Sequence, residues 1–508
     1  MASYPTNRPS MPAGRSSVSG QSRQRQPYRT AQSGAQRSAR SAQEAPRTAG
    51  TSAGQRRPQQ RQQPRRQPQQ QPRPQQTTAQ KRMAAIRQKE PKTKVRMFYK
   101  NPGAVNGGFV ATMVILQVFG LIMLFSASYA TALYKFENSY EYFGPQTLYA
   151  CVGFAAMWIA SRVDYHWLRN WSWKLYFIVL FLLVVVLFMP PIKGCRRWIN
   201  ISHFPTIQVS EIAKFSLILL LAHLFARYQK RIEGKIPGAG AMENFKLTIV
   251  LPGMVLLPIL VLLYLEPHNS AMILMCCITA SIMMVGGAMM RWFLSAGGVA
   301  VAGAAAMLIL RGGYVQERLQ GWLDPFSDMQ DSTLQTGQSL YTISSGGLFG
   351  VGIGNSIQKH MWLPEAQNDF IFAVLCEELG FVGAAICILL FLLLIIQGLI
   401  IAKQAPDRFG SLLVVGCIAQ IGFQFIFNVA VVTNTIPNTG ISLPFFSSGG
   451  TSLMLLLGQM GIVLSVCRAG NKKRAEERAA REEQKEAEQE AQRKKTNKIH
   501  MHGFVNRR

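Results

Sequence analysis

Four carboxylates lie close together in residues 362–380, which read WLPEAQNDFIFAVLCEELG. Glu365 and Asp369 fall in a polar loop, and Glu377 and Glu378 fall in the apolar helix predicted to follow it. An ionised Asp at a bilayer centre costs about 2.5 to 3.5 kcal/mol on insertion scales, so such acids usually face a cavity or a partner. This stretch is therefore the first candidate for chemistry. The alternative for Asp369 is structural, because Asp at the start of a helix also caps free backbone N–H groups.

A second candidate group lies in the sequence GCRRWINISHFPTIQVSEIAKF, between two apolar stretches. Arg196 and Arg197 each offer a planar fork that matches phosphate oxygens. Anchoring to lipid headgroups is the alternative for these two residues. Glu211 and Lys214 stand three apart on one face of the predicted helix, so they either neutralise each other or shape a cavity.

A long, glycine-rich loop leads up to Asp369 and supplies further polar candidates. Its glycines permit tight turns and close approach of the backbone to a ligand, and loops of this length are usually functional or disordered. A sugar diphosphate would use the acids of this loop together with its cations and amides, which are Arg318, Gln335, Gln338 and Lys359. Glu266 and His268, which flank a proline earlier in the chain, are interpreted as structural.

A break in the apolar pattern near the end of the chain points to a cavity between helices. The sequence NVAVVTNTIPNTGISLPFFSSGGTSLM contains prolines, glycines and polar residues that interrupt a helix, among them Asn428, Ser447 and Ser448. Non-helical backbone at membrane depth survives only where protein or a water-filled cavity satisfies its polar groups. We therefore expect these three residues to border a polar cavity.

The elements that must position these residues are predicted to be membrane-spanning helices. The chain has 508 residues, of which 48% are hydrophobic and 16% charged. Stretches near the length of about 20 apolar residues that spans a bilayer occur at 109–132, 145–161, 175–190, 207–226, 247–264, 270–289, 293–310, 370–402, 410–432 and 450–467. The sequence thus predicts an all-α polytopic membrane protein of about ten transmembrane helices, with a large extracellular loop between helices 7 and 8.

The distribution of charge sets the predicted orientation of these spans. In the loops, 11 Lys and Arg residues lie on the side of the amino-terminal segment and seven on the other side. Cytoplasmic loops carry the excess of Lys and Arg in membrane proteins. We therefore predict that both termini are cytoplasmic and that Glu365 and Asp369 lie at the outer face. Residues 101–468 form the predicted membrane domain.

Both ends of the chain are predicted to lie outside the membrane domain. Residues 1–100 contain 22 Lys and Arg against two acids, and their runs of Gln, Arg, Pro and Ser predict a disordered basic tail. We expect this tail to be drawn to anionic membrane lipids. We expect no nucleic acid as partner, because aromatic residues are too sparse there for base stacking. Residues 469–508 mix charges with helix formers, which predicts a solvated cytoplasmic helix.

Four sequence blocks resemble the signature blocks of the FtsW/RodA/SpoVE, or SEDS, family: RRWI, QVSEIAKF, SGGLFGVGIGNSIQKHMWLPEAQNDFIFAVLCEELG and IPNTGISLPFFSSGG. The resemblance covers residues 107–468, and the NSIQK element is closer to the division and sporulation branch than to the elongation branch. It implies a glycosyltransferase that polymerises lipid II at the outer face of the bacterial cytoplasmic membrane, at the division septum or in sporulation. It also implies a class B penicillin-binding protein and other division proteins as partners.

The resemblance also implies roles for individual residues. Asp369 matches the family's essential acid, which would act as a base or a metal ligand. Glu365 matches the LPEA glutamate, which would help to orient the substrate or to coordinate the metal. Joining lipid II units inverts the anomeric carbon, which needs a base on the acceptor hydroxyl and charge stabilisation on the departing diphosphate. The candidates for binding substrate, with Mg²⁺ or Mn²⁺ bridging the diphosphate, are Arg196, Arg197, Arg318, Gln338, Lys359, Ser447 and Ser448. Glu377 and Glu378 lie deeper and are expected to hold neighbouring helices or shape the cavity.

Two other functions stay open at this point. A transporter that flips lipid II across the bilayer would use the same cavity, since broken helices and ionisable residues at the midplane are transporter features. A division scaffold would use the basic tail to recruit cytoplasmic proteins. An outer cluster of acids favours catalysis, whereas a relay of charges through the membrane centre favours transport.

Overall fold

A computed structural model describes residues 97–99, 103–191, 196–199, 206–235, 240–310, 319–329 and 333–505. The predicted basic tail lies outside the described residues, apart from Met97–Tyr99, and so does Arg318. All the described residues belong to one compact unit, Pro74–Arg508.

The described chain is built almost entirely of helices. In chain order these are α1 (Gly107–Phe136), α2 (Phe143–Ala160), α3 (Tyr165–Leu187), α4 (Val209–Ile232), α5 (Ala241–Phe245), α6 (Leu251–Leu265), α7 (Asn269–Gly286), α8 (Met290–Leu310), α9 (Leu334–Ser345), α10 (Ile371–Lys403), α11 (Arg408–Val432) and α12 (Gly450–Val505). A π-helical turn, Lys246–Val250, joins α5 to α6. A short antiparallel pair, β1 (Trp198–Ile199) and β2 (Ile207–Gln208), precedes α4.

Eight helical segments in the described part of the chain are long and apolar enough to cross a membrane. They are α1, α3, α4, the continuous α5–α6 stretch, α7, α10, α11 and the first part of α12. Each coincides with a predicted span, so the all-α polytopic fold class is confirmed. Helices α2 and α8 occupy the two remaining predicted spans, and the total of ten spans stays a prediction.

Helices α4 and α11 form the centre of the bundle. In each of these helices, 72% of the most apolar stretch is buried inside the protein, against 28% in α3. Helix α11 packs against α4, α7 and α10, and α12 packs against α2. Phe177 of α3 and Leu389 of α10 are exposed, which suits side chains that face the hydrocarbon core of a bilayer.

The bundle has two distinct ends. At one of them, Tyr99 donates its backbone N–H to the carbonyl of Arg162 over 3.1 Å. Asn471 of α12 donates to the carbonyl of Ala104 over 2.7 Å at the same end, which we call the tail end. Helices α4, α7, α10 and α12 all begin at the opposite end, where the predicted chemistry lies.

Helix α10 is broken at Gly380, whose φ of 65° and ψ of −166° are not helical. The glycine-rich loop packs into this break, and four backbone hydrogen bonds of 2.9 to 3.2 Å join residues 347–352 to residues 377–382. A Cβ on Gly350 would lie 2.2 Å from the carbonyl oxygen of Glu378. The glycines that we expected to approach a ligand therefore approach the backbone of α10.

Candidate active site

A polar cavity of about 530 Å³ opens where α4, α7 and α12 begin, beside the loop that leads into α10. It lies at the end of the bundle opposite the tail end. Its lining includes six residues predicted from the sequence, which are Arg197, Glu211, Lys214, Glu365, Asp369 and Ser448. The cavity thus brings acids of the first candidate stretch together with basic residues of the second.

The loop that carries both cavity acids has an uncommon backbone conformation at Glu365. Its φ of 54° lies in the left-handed region, which costs a non-glycine residue of order 1–3 kcal/mol. Asn368 holds the turn, because its N–H donates to the carbonyl of Glu365 over 2.9 Å and its side-chain amide donates to the Glu365 carboxylate. Phe370, one residue after Asp369, occupies the N-cap position of α10. Strain of this kind persists only where surrounding structure enforces it, often at functional sites.

The backbone of Asp369 is fixed from helix α11 and from the segment before α12. Asn428 is fully buried, and its amide donates to the carbonyls of Asp369 and Ile441, each over 2.7 Å. The hydroxyl of Ser447 donates to the carbonyl of Asn368 over 2.6 Å. Asn428 and Ser447 therefore position the loop of Asp369, although neither lines the cavity itself.

Two residues at the start of α4 form an ion pair in the cavity wall. Lys214 Nζ lies 2.7 Å from Glu211 Oε1, and Lys214 is only 2% exposed. A buried ammonium needs such a partner, because desolvation of an isolated charge is costly. The pair therefore neutralises much of its own charge and also shapes the cavity.

A second basic element is Arg197, immediately before β1. Trp198 pairs with Gln208 across the two short strands, which brings Arg197 close to the start of α4. The guanidinium of Arg197 donates to the backbone carbonyls of Glu266 and Pro267. Its positive charge therefore faces the connection between α6 and α7.

Lys359, which we expected at a diphosphate, lies instead in a buried polar cluster outside the cavity lining. Its ammonium donates to Glu378 Oε1 over 2.9 Å and to the carbonyl of Gly354 over 2.7 Å. Ser126 of α1 donates to the same carboxylate over 2.6 Å. Because Lys359 is only 2% exposed, these partners take the place of water, and its role is in the scaffold.

Glu377 completes this cluster beside Glu378. Its carboxylate accepts hydrogen bonds from the N–H of Ile357, over 3.1 Å, and from the hydroxyl of Ser356. The two acids of α10 thus hold the glycine-rich loop against α1 and α10. We call the cluster the loop clamp, and its members are Ser126, Ser356, Lys359, Glu377 and Glu378.

Two other residues predicted to bind substrate also lie outside the cavity lining. Arg196 is exposed and donates to the carbonyl of Leu187 over 2.9 Å. Gln338 lies in α9, where its carbonyl accepts from Thr342. Among the described basic residues expected at a diphosphate, Arg197 is therefore the one that lines the cavity.

His268 and Gln424 are among the cavity residues that were not predicted as functional. His268 was interpreted as structural because a lone histidine in an apolar context carries little signal. Gln424 had a usable signal, since it stands four residues before Asn428 in a largely apolar helix. Residues at i and i+4 share one helical face, so the two amides mark the face of α11 that turns toward the site.

The carboxylates of the cavity lining are too few to hold a metal ion alone, so a bound substrate would have to supply further ligands. Among the residues that the structure describes, no group of three or more His, Cys, Asp or Glu side chains could hold a metal. Glu365 and Asp369 offer two carboxylates, and Mg²⁺ is usually held by one or two carboxylates plus substrate phosphates. The residues present therefore suit a divalent cation that is bound jointly with a diphosphate.

These features define a class: a polytopic membrane protein whose helix bundle holds an acidic and basic cavity at one end. The model of the FtsW/RodA/SpoVE family, described as cell cycle protein, matches residues 108–472. The chain belongs to this family.

Curated relatives match this chain along almost the whole of their own length. The chain is 38% identical over 373 residues to stage V sporulation protein E of Bacillus subtilis, covering 71% of this chain and 95% of that protein. It is 36% identical over 357 residues to a probable peptidoglycan glycosyltransferase FtsW of a Geobacter species, covering 70% of this chain and 94% of that protein.

Solved structures share the fold. A chain from a peptidoglycan synthase complex that coordinates polymerization and crosslinking matches with a TM-score of 0.59 at 26% identity, covering 72% of this chain and 98% of that one. The rod shape determining protein RodA of Thermus thermophilus matches with a TM-score of 0.52 at 25% identity, covering 72% and 97%. The helical membrane architecture is therefore shared across the family.

Proposed function

We propose that this protein is a peptidoglycan glycosyltransferase that polymerises lipid II into glycan strands. The observation that carries the proposal is that two acids, Glu365 and Asp369, line the same cavity as two basic residues, Arg197 and Lys214. Relatives named as probable peptidoglycan glycosyltransferases support the same enzyme class. A sugar diphosphate needs both kinds of group, a base for the acceptor and cations for the leaving group.

The proposed reaction is an inverting displacement at the anomeric carbon of the donor sugar. Asp369 accepts the proton of the acceptor hydroxyl as the new glycosidic bond forms, and Glu365 orients the acceptor. The bond to the lipid diphosphate breaks, and Arg197 stabilises the charge on the departing undecaprenyl diphosphate. A divalent cation, held by Glu365 and Asp369 with the diphosphate, would supply further charge stabilisation.

The proposed setting is the outer face of the bacterial cytoplasmic membrane, with both termini in the cytoplasm. The excess of Lys and Arg in the tail-side loops supports this orientation. The septum during division, or the sporulating cell, is the proposed place of action, because the relatives include a sporulation protein and FtsW proteins. A class B penicillin-binding protein is the proposed partner, and the similar chain from a synthase complex supports it.

The position of the cavity favours catalysis over transport of lipid II. Its charged lining residues lie where α4, α7 and α12 begin, and transporters instead bind substrate near the bilayer midplane. In the scaffold alternative, the essential function is the recruitment of cytoplasmic division proteins by the basic tail, residues 1–100. Deleting residues 1–95 and measuring polymerisation tests that alternative, and we expect the truncated protein to remain active.

The direct test is polymerisation by the full-length protein, purified with its penicillin-binding partner and supplied with lipid II and Mg²⁺ or Mn²⁺. We expect Asp369→Ala to lower the rate of glycan formation by about 10²- to 10⁴-fold, the usual contribution of a general base. Asp324→Ala is the matched control, since Asp324 is exposed and lies outside the cavity lining. A correctly folded Asp369→Ala protein that polymerises at the normal rate would show the catalytic assignment to be wrong.

A further inference from the structure

The glycine-rich loop exposes a large apolar surface beside the break in α10. Its sequence has no charged residue between positions 346 and 358. Phe349 is 76% exposed and Ile357 is 68% exposed. Six exposed side chains, which we call the loop face, are Leu348, Phe349, Val351, Ile353, Ile357 and Trp362. Surfaces in contact with water seldom carry so many large apolar side chains in one short segment, so the loop face indicates an apolar partner.

Three helices show how far the loop lies from the tail end of the bundle. From its start at the tail end, α1 rises about 29 Å to Ser126, the partner of Glu378. Helix α11 begins at the same end and rises about 30 Å to Asn428, the partner of Asp369. The part of α10 that follows the break at Gly380 measures about 35 Å. Because the hydrocarbon core of a bilayer is about 30 Å thick, the break and the loop clamp lie at its edge opposite the tail end.

The loop face continues the lipid-facing surface of α10. Before the break, α10 is almost entirely buried, whereas Phe381 and Val382, directly after it, are exposed. These two residues donate their backbone N–H groups to the carbonyls of Gly347 and Leu348, over 3.0 and 3.2 Å. Within the described part of the chain, none of the loop face lines the cavity. The loop face therefore lies beside the first lipid-exposed turn of α10.

The side of the loop that faces the protein satisfies its polar groups. Ser356 and Lys359 donate to the two acids of the loop clamp, and four backbone hydrogen bonds join the loop to α10. Non-helical backbone at membrane depth is tolerated only where protein satisfies it in this way. Trp362 of the loop and Tyr129 of α1 are both exposed, and these residue types are enriched at membrane–water interfaces. The loop thus turns polar groups inward and apolar groups outward, as interfacial segments do.

We propose that the loop face inserts into the acyl chains of the bilayer leaflet opposite the tail end and anchors the glycine-rich loop there. The occupant is lipid, because the loop face lies at the edge of the hydrocarbon core and adjoins the lipid-facing side of α10. A docked protein would instead be expected to meet a polar rim around the apolar centre. The anchored loop runs directly into Glu365 and Asp369, so the anchor fixes the level of both cavity acids relative to the bilayer.

Photo-cross-linking to lipid tests the anchor in the full-length protein, without a partner protein, in phosphatidylcholine nanodiscs. The photoreactive residue p-benzoylphenylalanine replaces Phe349 or Ile357, one at a time, and mass spectrometry measures the fraction of protein that has gained one phospholipid. Leu389, exposed on α10, and Glu486, exposed in α12 beyond the predicted span, receive the same replacement as controls. We expect both loop positions to approach the yield at Leu389 and to exceed that at Glu486 by about tenfold or more, because burial in hydrocarbon favours an apolar side chain by such a factor.

Two results would overturn the anchor. The first is a lipid yield at Phe349 and Ile357 that equals the yield at Glu486, in variants whose unfolding midpoints match that of the natural protein. The second is transfer of the cross-link from lipid to the penicillin-binding protein when that protein is added, which would assign the loop face to a docked protein. We expect the lipid yield to stay unchanged by this addition. None of these measurements uses turnover, so failure of the anchor and failure of the proposed enzyme activity are distinguishable.

Discussion

Asp369 and Glu378 belong to one continuous segment of chain, but the fold gives their carboxylates opposite surroundings. Asp369 lines the cavity, and its backbone is fixed by Asn428. Glu378 is fully buried and is bound by Lys359 and Ser126. The difference arises because α10 begins between them, so that the loop acid faces the cavity and the helix acid faces the inserted glycine-rich loop. Position in the fold therefore separates the two acids: Asp369 lines the cavity, whereas Glu378 is enclosed by Lys359 and Ser126.

The largest effect is expected in the loop clamp, when its ammonium group, that of Lys359, is removed. We expect Lys359→Met to lower the free energy of unfolding by about 3–5 kcal/mol, because Glu378 is then buried without its cation. Lys359→Met combined with Glu378→Gln should recover most of this loss, since the neutral amide still accepts from Ser126. Reversible unfolding in mixed micelles measures both variants.

An exposed ion pair provides the control for this prediction. Lys235 lies 2.5 Å from Glu233, with its side chain 69% exposed, and Lys235→Met should cost no more than about 1 kcal/mol. Equal effects of Lys359→Met and Lys235→Met would mean that the clamp does not stabilise the fold. The Asp369→Ala protein should unfold like the natural protein, which separates the cavity acid from the clamp acid.

The sequence predicts the helical membrane architecture well because hydropathy over a span of residues is a local property. The same holds for the acids of residues 362–380, whose cost in a membrane is visible without a structure. The role of Lys359 could not be predicted, since its partners Glu378 and Ser126 come from two separate helices and only packing brings them together. The partners of the glycine-rich loop are equally hidden, because the break at Gly380 is a backbone conformation. His268 was missed because its place in the cavity lining is a property of the fold.

The insertion of the glycine-rich loop into α10 gives a second way to test the clamp region. Gly350 has a φ of 79°, and a Cβ there would lie 2.2 Å from the carbonyl oxygen of Glu378. We expect Gly350→Ala to lower the free energy of unfolding by about 3 kcal/mol, from backbone strain and overpacking together. Gly347→Ala isolates the strain, since Gly347 has a φ of 54° but nothing within 4 Å of its Cβ position. That control should cost about 1 kcal/mol. Equal losses in the two variants would contradict the close contact between loop and helix.

Glu266 gives the comparison a pH-dependent test, because it is a buried acid that forms no ion pair among the described residues, unlike Glu378 with Lys359. Burial raises the pKa of Glu266 from 4.5 to about 8, and the charge of Arg197 offsets this only in part. The folded protein therefore favours the protonated carboxyl. The stability that this group contributes is complete below pH 4.5 and is lost as the pH rises toward 8. Glu266→Gln stays neutral at every pH, so its unfolding midpoint should match that of the natural protein near pH 4 and exceed it at pH 9. A difference between the two proteins that does not change with pH would show that Glu266 is ionised in the folded state, and that an acid beside Arg197 needs no closer cation.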